Sequence, residues 1–157
     1  MKADKDLLRV GIAGYGVVGK RRRTVIDGHP WMKTVAVSDK NLKGRSLEDP
    51  VRCYTNFKEL LKEEIDVLFV SLPNYLAPKV TILGLEKGLH VFCEKPVAVD
   101  APGIRSVIES AKKAKEKGLA LMSGFCWRHD TPKVETFNRL LDGAIGDIHT
   151  IYNTYNT

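Results

Sequence analysis

Lys95 stands in the sequence context that best suits proton-transfer chemistry. It follows Glu94, precedes Pro96 and comes directly after the apolar residues 89–93. An acid and a base at the end of a buried strand can hydrogen-bond a substrate hydroxyl, and a lysine there can take part in proton transfer. Proline biases the lysine before it toward extended geometry. The same residues are also compatible with a surface turn, and the motif alone leaves both interpretations open.

A second chemical signal is a glycine pattern near the N-terminus. Gly14, Gly16 and Gly19 are spaced G-x-G-x-x-G, after an apolar run and before a helical stretch. The first glycine permits a tight turn, the second leaves room for a pyrophosphate, and the third allows helix and strand to pack closely. The helix then points free N–H groups and its positive dipole end at the phosphates. The pattern predicts a dinucleotide site that also includes Tyr15, Val17 and Val18.

Asp39 follows the next short strand, 25 positions after Gly14. At about that spacing a carboxylate accepts hydrogen bonds from the adenosine ribose hydroxyls and repels a 2′-phosphate, which favours NAD over NADP. Lys40 keeps NADP open as an alternative. Asp39 is also a typical first residue of a turn, and this second interpretation stays open.

Strands and helices alternate along the chain, which predicts an α/β, Rossmann-type doubly wound parallel sheet. Ligands of such sheets lie across the carboxyl ends of the strands, where Gly14, Asp39 and Glu94 are expected to gather. The segment Ser71, Leu72, Pro73 and Asn74 ends another strand and is expected at the same edge. Strands are predicted at residues 7–13, 34–38, 52–54, 65–71, 89–93 and 119–123, helices at 17–27, 57–61, 75–87 and 100–117, and a polar loop at 43–50.

The helix after the glycines carries an unusual run of four basic residues, Lys20, Arg21, Arg22 and Arg23. At about 100° per residue, Lys20 and Arg23 point away from an apolar stripe formed by the valines at 17, 18 and 25. Arg21 and Arg22 lie within or beside that stripe. We therefore expect Lys20 and Arg23 to be solvated, and Arg21 and Arg22 to be candidates for contact with a ligand or a partner domain.

The pattern changes after residue 124. Residues 125–132 resemble a loop, residues 134–141 a helix and residues 143–146 a turn, and residues 148–155 are rich in residues typical of a strand. This organisation predicts a dinucleotide-binding domain over residues 1–124. Residues 125–157 are expected to form a connecting loop, a helix and the first strand of an incomplete second α/β domain. An unpaired strand is expected to promote self-association into a homo-oligomer.

The amino-acid composition indicates which other classes of function are not expected. The 157 residues are 43% hydrophobic and 28% charged, as in ordinary soluble domains, and the net charge of +6 fits either an anionic ligand or a merely basic surface. A basic stripe interleaved with aromatic residues is missing, so nucleic acid is not an expected partner. Three widely spaced cysteines predict neither a disulfide framework nor a metal site. A charged N-terminus and the lack of a long apolar run favour a cytoplasmic protein without a membrane partner.

Taken together, these motifs resemble the glucose-fructose oxidoreductase / inositol dehydrogenase / MocA family. The resemblance rests on residues 14–19, 71–74 and 88–96, on Gly124 and Phe125 with Arg128, and on residues 143–148. It implies an NAD(P)-dependent oxidoreductase that transfers a hydride to or from a sugar, polyol or nucleotide-sugar hydroxyl. It also implies that Lys95 is the active-site lysine, that its bond to Pro96 is often cis, and that Trp127 and Arg128 approach the nicotinamide.

The chain departs from that family at two points. Family members usually carry a histidine shortly after the segment that ends here at Asn74, but residues 75–78 contain none, and 157 residues are about half the length of family members. We therefore expect a truncated substrate domain and negligible turnover by the chain alone. Two alternatives remain open: a non-catalytic nucleotide-binding module that needs a partner, and an enzyme like biliverdin reductase or dihydrodipicolinate reductase.

Overall fold

The computed structural model of the chain describes residues 7–43, 47 and 50–155. The charged N-terminal residues 1–6 and most of the polar loop predicted at 43–50 lie outside the described residues. The described chain divides into two compact units, of which the first ends at Gly124 and the second begins at Phe125.

The first unit is a parallel sheet with helices between its strands. The strand order is β3-β2-β1-β4-β5-β6, and every described strand pair is parallel. This order confirms the predicted doubly wound fold, and it reverses between β1 and β4, where such sheets open a crevice at the carboxyl ends. The elements are β1 Leu8–Ala13, α1 Val17–Asp27, β2 Met32–Ser38, β3 Arg52–Tyr54, α2 Phe57–Leu60, β4 Val67–Val70, α3 Ala77–Glu86, β5 His90–Cys93, α4 Ala101–Glu116 and β6 Leu121–Ser123.

The central strand β1 is buried on both faces because successive side chains point to opposite sides of a strand. Val10 and Ile12 belong to the core cluster that also contains Ile26 of α1. Ala13 belongs to the core cluster on α2 and α3, and a Cβ on Gly11 would lie 2.7 Å from Ile65 Cδ1. The near-continuous apolar run that predicted this strand therefore reflects two covered faces.

The inner face of α1 differs from the prediction. Gly19 and Ile26 are its buried residues, and Arg22 and Arg23 lie between them at helical spacing. The valines at positions 17, 18 and 25 are exposed instead. Close contact at Gly19 decides the orientation, since a Cβ there would lie only 2.0 Å from the Gly14 carbonyl oxygen. The prediction that the valine stripe faces inward was therefore wrong. The prediction that Arg23 is solvated was also wrong, since its side chain is only 15% exposed.

The second unit contains a 3-10 turn at Cys126–His129 and the helix α5 at Thr131–Leu141. The strand predicted at residues 148–155 is not formed, and this prediction was wrong. A strand depends on hydrogen bonds from a neighbour, and none of the described residues pairs with this segment. Among the described helices, none has both the length and the apolar composition needed to cross a membrane.

Candidate functional site

The glycine turn joins β1 to α1 at the carboxyl edge of the sheet. Gly14 has φ +93°, and a Cβ at this position would lie 2.3 Å from the Ser71 carbonyl oxygen. Its N–H donates a 2.8 Å hydrogen bond to the Ser38 carbonyl oxygen. Positive φ and the close approach both require glycine. The turn therefore holds the ends of β1, β2 and β4 together.

Gly16 has the opposite environment. It is the N-cap of α1 in an extended conformation, with φ −77° and ψ −156°. Among the described residues, no atom lies within 4 Å of a Cβ built on Gly16. The open space lies where the first N–H groups of the helix point, and these groups have no partner inside the helix. A pyrophosphate fits this cradle, and Val17 and Val18 of the first helical turn border it with exposed side chains.

The Asp39 carboxylate accepts hydrogen bonds from two backbone N–H groups. Its Oδ2 accepts a 2.9 Å hydrogen bond from the Tyr15 backbone N–H, and its Oδ1 accepts one of 2.9 Å from the Asn41 backbone N–H. The second bond caps the 3-10 turn Lys40–Leu42, which is the turn interpretation of this aspartate. Each carboxylate oxygen keeps a further lone pair, so ribose hydroxyls still have acceptors here.

Tyr15 packs inward rather than toward solvent. Its side chain belongs to the core cluster of Val10, Ile12 and Ile26, and its hydroxyl accepts a 2.9 Å hydrogen bond from Arg23 Nη1. Arg23 Nε in turn donates to Asp27 Oδ2 at 3.0 Å. The predicted contribution of Tyr15 to the cofactor site is therefore confined to its backbone, because its ring and hydroxyl are engaged with the protein.

The segment after β4 turns directly into α3. The Ser71 N–H donates to the Ala13 carbonyl oxygen at 2.7 Å, and the Pro73 carbonyl accepts from the N–H groups of Leu76 and Ala77. Leu72 is half-buried against the core, whereas Pro73 and Asn74 are exposed. Ser71 thus lies against Gly14 at the glycine turn, and Asn74 lies on the surface one turn ahead of the helix.

Glu94 and Lys95 leave the sheet at the end of β5. The Glu94 N–H donates to the Val70 carbonyl oxygen at 2.9 Å, which places both residues at the same edge as the glycine turn. Lys95 is exposed, and its peptide bond to Pro96 is cis, as the family resemblance implied. The Glu94 carboxylate accepts a hydrogen bond from Arg22 Nε of α1.

Two titratable groups near the carboxyl edge of the sheet have shifted pKa values. Burial raises the pKa of the Cys93 thiol, so it is not a thiolate nucleophile at neutral pH. A hydrogen bond to Glu63 raises the pKa of Tyr54, whose backbone carbonyl accepts from the Asp39 N–H. Within the described ranges, His, Cys, Asp and Glu form no group of three suited to a metal ion. Lys95 is an exposed amine at this edge, and a lysine there can take part in proton transfer.

Trp127 and Arg128 belong to the second unit. The Trp127 ring meets Tyr155 edge-on at a centroid distance of 5.4 Å, and the Arg128 guanidinium lies 5.1 Å from the centroid of the Phe125 ring. Both side chains are exposed within their own unit. Their approach to a nicotinamide remains a prediction from the family resemblance.

Sequence reasoning missed two features of this edge. The arginine at position 22 was a candidate for a ligand or domain contact but not for an ion pair with Glu94, 72 positions away. The sequence motif that includes Gly124 did not predict a contact for this glycine. In the structure, a Cβ on Gly124 would lie 2.6 Å from Glu94 Oε2. Spacing from Gly19 to Ile26 is the signal that places Arg22 on the inner helix face.

Comparisons with known proteins agree with this geometry. Residues 8–125 match the model of an oxidoreductase family with an NAD-binding Rossmann fold, GFO_IDH_MocA. The chain is 27% identical to dTDP-3,4-didehydro-2,6-dideoxy-alpha-D-glucose 3-reductase of Actinomadura kijaniata over 94% of this chain and 45% of that protein. The myo-inositol 2-dehydrogenase structure from Lactobacillus plantarum is 28% identical with a TM-score of 0.80, covering 90% of this chain and 43% of that one.

A second solved structure was determined with ligands. The scyllo-inositol dehydrogenase of Lactobacillus casei, with bound NAD(H) and scyllo-inositol, is 25% identical with a TM-score of 0.81. The similarity covers 90% of this chain and 43% of that one. The chain therefore spans less than half the length of the relatives it matches.

Proposed function

The chain belongs to the Gfo/Idh/MocA family of oxidoreductases, and from this premise we propose that it is the cofactor-binding portion of an NAD(P)-dependent enzyme. The enzyme transfers a hydride between nicotinamide and a hydroxyl of a sugar, a polyol or a nucleotide sugar. The observation that carries the proposal is that the Gly16 cradle follows β1 and Lys95 follows β5, at one edge of the sheet and on either side of the point between β1 and β4 where strand order reverses. Ligands of doubly wound sheets bind at that point.

The proposed roles follow from position along this edge. Backbone N–H groups at residues 16–19 bind the pyrophosphate, and the Asp39 carboxylate accepts from the adenosine ribose. The carboxylate disfavours a 2′-phosphate, so NAD is the proposed cofactor, with NADP as the alternative that Lys40 favours. Residues 71–74 and Glu94 border the path toward the nicotinamide, and Trp127 and Arg128 are proposed to complete that end.

Lys95 has the role of the active-site lysine in this proposal. A bound nicotinamide cofactor supplies the hydride acceptor or donor. The Lys95 amine hydrogen-bonds the reacting hydroxyl and holds or moves a proton at Nζ. Exposure of Lys95 within the first unit supports this role, since a group that meets substrate must be reachable.

The substrate class rests on the relatives. These relatives include a reductase of a nucleotide sugar and dehydrogenases of inositols. The substrates in these names share a ring carbon that bears a hydroxyl or a ketone.

The substrate-binding and oligomerisation domain is proposed to begin at residue 125. Exposed apolar side chains at Phe137, Leu141 and Tyr152 support association with a second copy or with more of the same domain. Free thiols at Cys53, Cys93 and Cys126 support a cytoplasmic location.

Calorimetric titration with NADH and with NADPH tests the proposal. We expect NADH to bind more tightly than NADPH and the Gly16→Ala variant to lose both. Failure of the unaltered chain to bind either cofactor at millimolar concentration would contradict the proposal. Lys95→Met, which keeps an unbranched side chain of nearly the same length but not the amine, is expected to retain ADP-ribose binding. Turnover of inositols or nucleotide sugars, where the whole protein is available, is expected to disappear in that variant.

A further inference from the structure

We propose that Arg22 is a positioning residue that holds Glu94, and through it Lys95, at the nicotinamide end of the site. The inference rests on the proposed function, because it assigns a task to an arginine at the site defined there. It also separates Arg22 from the pyrophosphate, although this arginine lies in the second turn of the phosphate-binding helix.

Arg22 is held by two kinds of contact with β5. Its Nε donates to Glu94 Oε1, and its guanidinium carbon lies 5.3 Å from the centroid of the Phe92 ring. Phe92 in turn stacks on Phe69 of β4, with ring centroids 4.8 Å apart. An arginine stacked on an aromatic ring loses little freedom when it also bonds a carboxylate. Arg22 is therefore directed toward Glu94 by a rigid surface.

The Glu94 carboxylate packs against Gly124. A Cβ on Gly124 would lie 2.6 Å from Glu94 Oε2, so an alanine there would displace the end of the Glu94 side chain. The Gly124 N–H donates to the Cys93 carbonyl oxygen at 2.9 Å, which fixes the glycine to the end of β5. One carboxylate oxygen of Glu94 therefore accepts from Arg22, and the other lies beside Gly124.

The electrostatics favour the same assignment. The Glu94 side chain is 17% exposed and the Arg22 side chain 31%, so this ion pair is partly shielded from water. Removing one member of such a pair leaves the other charge without compensation, which costs more than the loss of an exposed contact. Arg21, one position earlier, is exposed and offers a matched control.

Lys95 depends on this arrangement because it follows Glu94 directly and is itself exposed. If Glu94 turns toward solvent to hydrate its charge, the backbone that carries Lys95 shifts with it. Such a shift would weaken the binding of the nicotinamide half of a dinucleotide. It would not change the binding of the ADP-ribose half, which lies at Gly16 and Asp39.

Titration with NADH and with ADP-ribose separates these halves. For Arg22→Gln we expect about tenfold weaker NADH binding, with ADP-ribose binding changed by less than about twofold, since a charge-assisted hydrogen bond is lost at one end only. Arg22→Lys restores part of the NADH affinity because it keeps the charge but not the planar stacking. Arg21→Gln leaves both affinities unchanged.

Three results would overturn the inference. They are equal losses of NADH and ADP-ribose affinity in Arg22→Gln, unchanged NADH affinity in that variant, and an Arg21→Gln effect as large as that of Arg22→Gln. If Arg22→Gln fails to fold by circular dichroism, the charge exchange Arg22→Glu with Glu94→Arg is used, and recovery of NADH affinity relative to Glu94→Arg alone is expected. Failure of the unaltered chain to bind either ligand would instead contradict the proposed function.

Discussion

The Tyr15 backbone N–H donates a 2.9 Å hydrogen bond to the Asp39 carboxylate, and this bond ties the glycine turn to the end of β2. The same carboxylate caps the following turn through the Asn41 N–H. Asp39 therefore shapes the loop proposed to bind the pyrophosphate, in addition to its proposed role as an acceptor for the ribose. A substitution at this position is expected to affect both tasks.

Asp39→Asn tests this double role. The amide keeps one oxygen as an acceptor but loses the charge that repels a 2′-phosphate and attracts the Tyr15 N–H. We expect NADH affinity to fall about tenfold and the NADH preference over NADPH to shrink by more than that. Fluorescence titration with both cofactors measures the ratio. Asp66→Asn at the opposite end of the sheet is the control, and an unchanged ratio in Asp39→Asn would contradict the assignment of Asp39 to the ribose.

Alanine at Gly14 and alanine at Gly16 are expected to impair different properties: Gly14→Ala lowers stability, whereas Gly16→Ala lowers NADH affinity. Gly14→Ala places a methyl group 2.3 Å from the Ser71 carbonyl oxygen at a positive φ, so we expect a loss of about 1–3 kcal/mol or more in the free energy of unfolding. Gly16→Ala has an ordinary φ of −77° and is expected to change that free energy by less than about 1 kcal/mol.

Urea unfolding and NADH titration of the same two variants provide the measurement. Gly16→Ala is expected to retain stability while losing NADH affinity at least about tenfold, because its methyl group occupies the space for the pyrophosphate. Normal NADH binding by a folded Gly16→Ala variant would mean that the cradle is not the phosphate site.

Stability is expected to depend on pH through Asp66. Hydrogen bonds from Arg9 hold the pKa of the Asp66 carboxyl below its ordinary value of 3.8. Since folding lowers this pKa, the stabilisation is present above 3.8 and disappears as pH falls through the lower folded value. Asp66→Asn should therefore lower the urea midpoint at pH 7 and approach the unaltered chain as pH falls below 3.8.

Glu64→Gln is the matched control for that experiment. Glu64 also bonds Arg9, at 2.9 Å, but its side chain is 88% exposed. Solvent screens such a pair, so we expect a smaller change in the urea midpoint than in Asp66→Asn. A larger effect of Glu64→Gln would contradict the importance of the Asp66 hydrogen bonds.

Thiol reactivity is expected to report on burial at the end of β5. Cys126 is exposed, whereas Cys93 is buried and its pKa is raised by that burial. With dithionitrobenzoate we expect Cys126 to react first and Cys93 at least about tenfold more slowly, because the thiolate is the reactive form. Cys126→Ser should remove the fast phase. Rapid labelling of Cys93 in the folded chain would show that β5 opens easily.

Features that depend on local backbone geometry and hydropathy could be predicted from the sequence. Glycine spacing placed the turn at Gly14, the apolar run before it indicated the strand β1, and the pattern from residue 100 indicated the helix α4. The structure caps that helix with Asp100, whose Oδ1 accepts from the Gly103 N–H. Each of these is decided by neighbours within a few positions. Alternation of strands and helices then restricted the topology to a doubly wound sheet, as observed.

The inward face of α1 and the partners of its arginines depend on contacts between residues that are far apart in the sequence. The valines formed the more apolar stripe, but the contact between Gly19 and Gly14 turned Arg22 toward Glu94. The strand predicted after residue 147 failed for a related reason, since a strand needs a neighbour that its own residues do not specify. Local pattern describes what a segment can become, whereas long-range packing decides which surface it buries and which charge it meets.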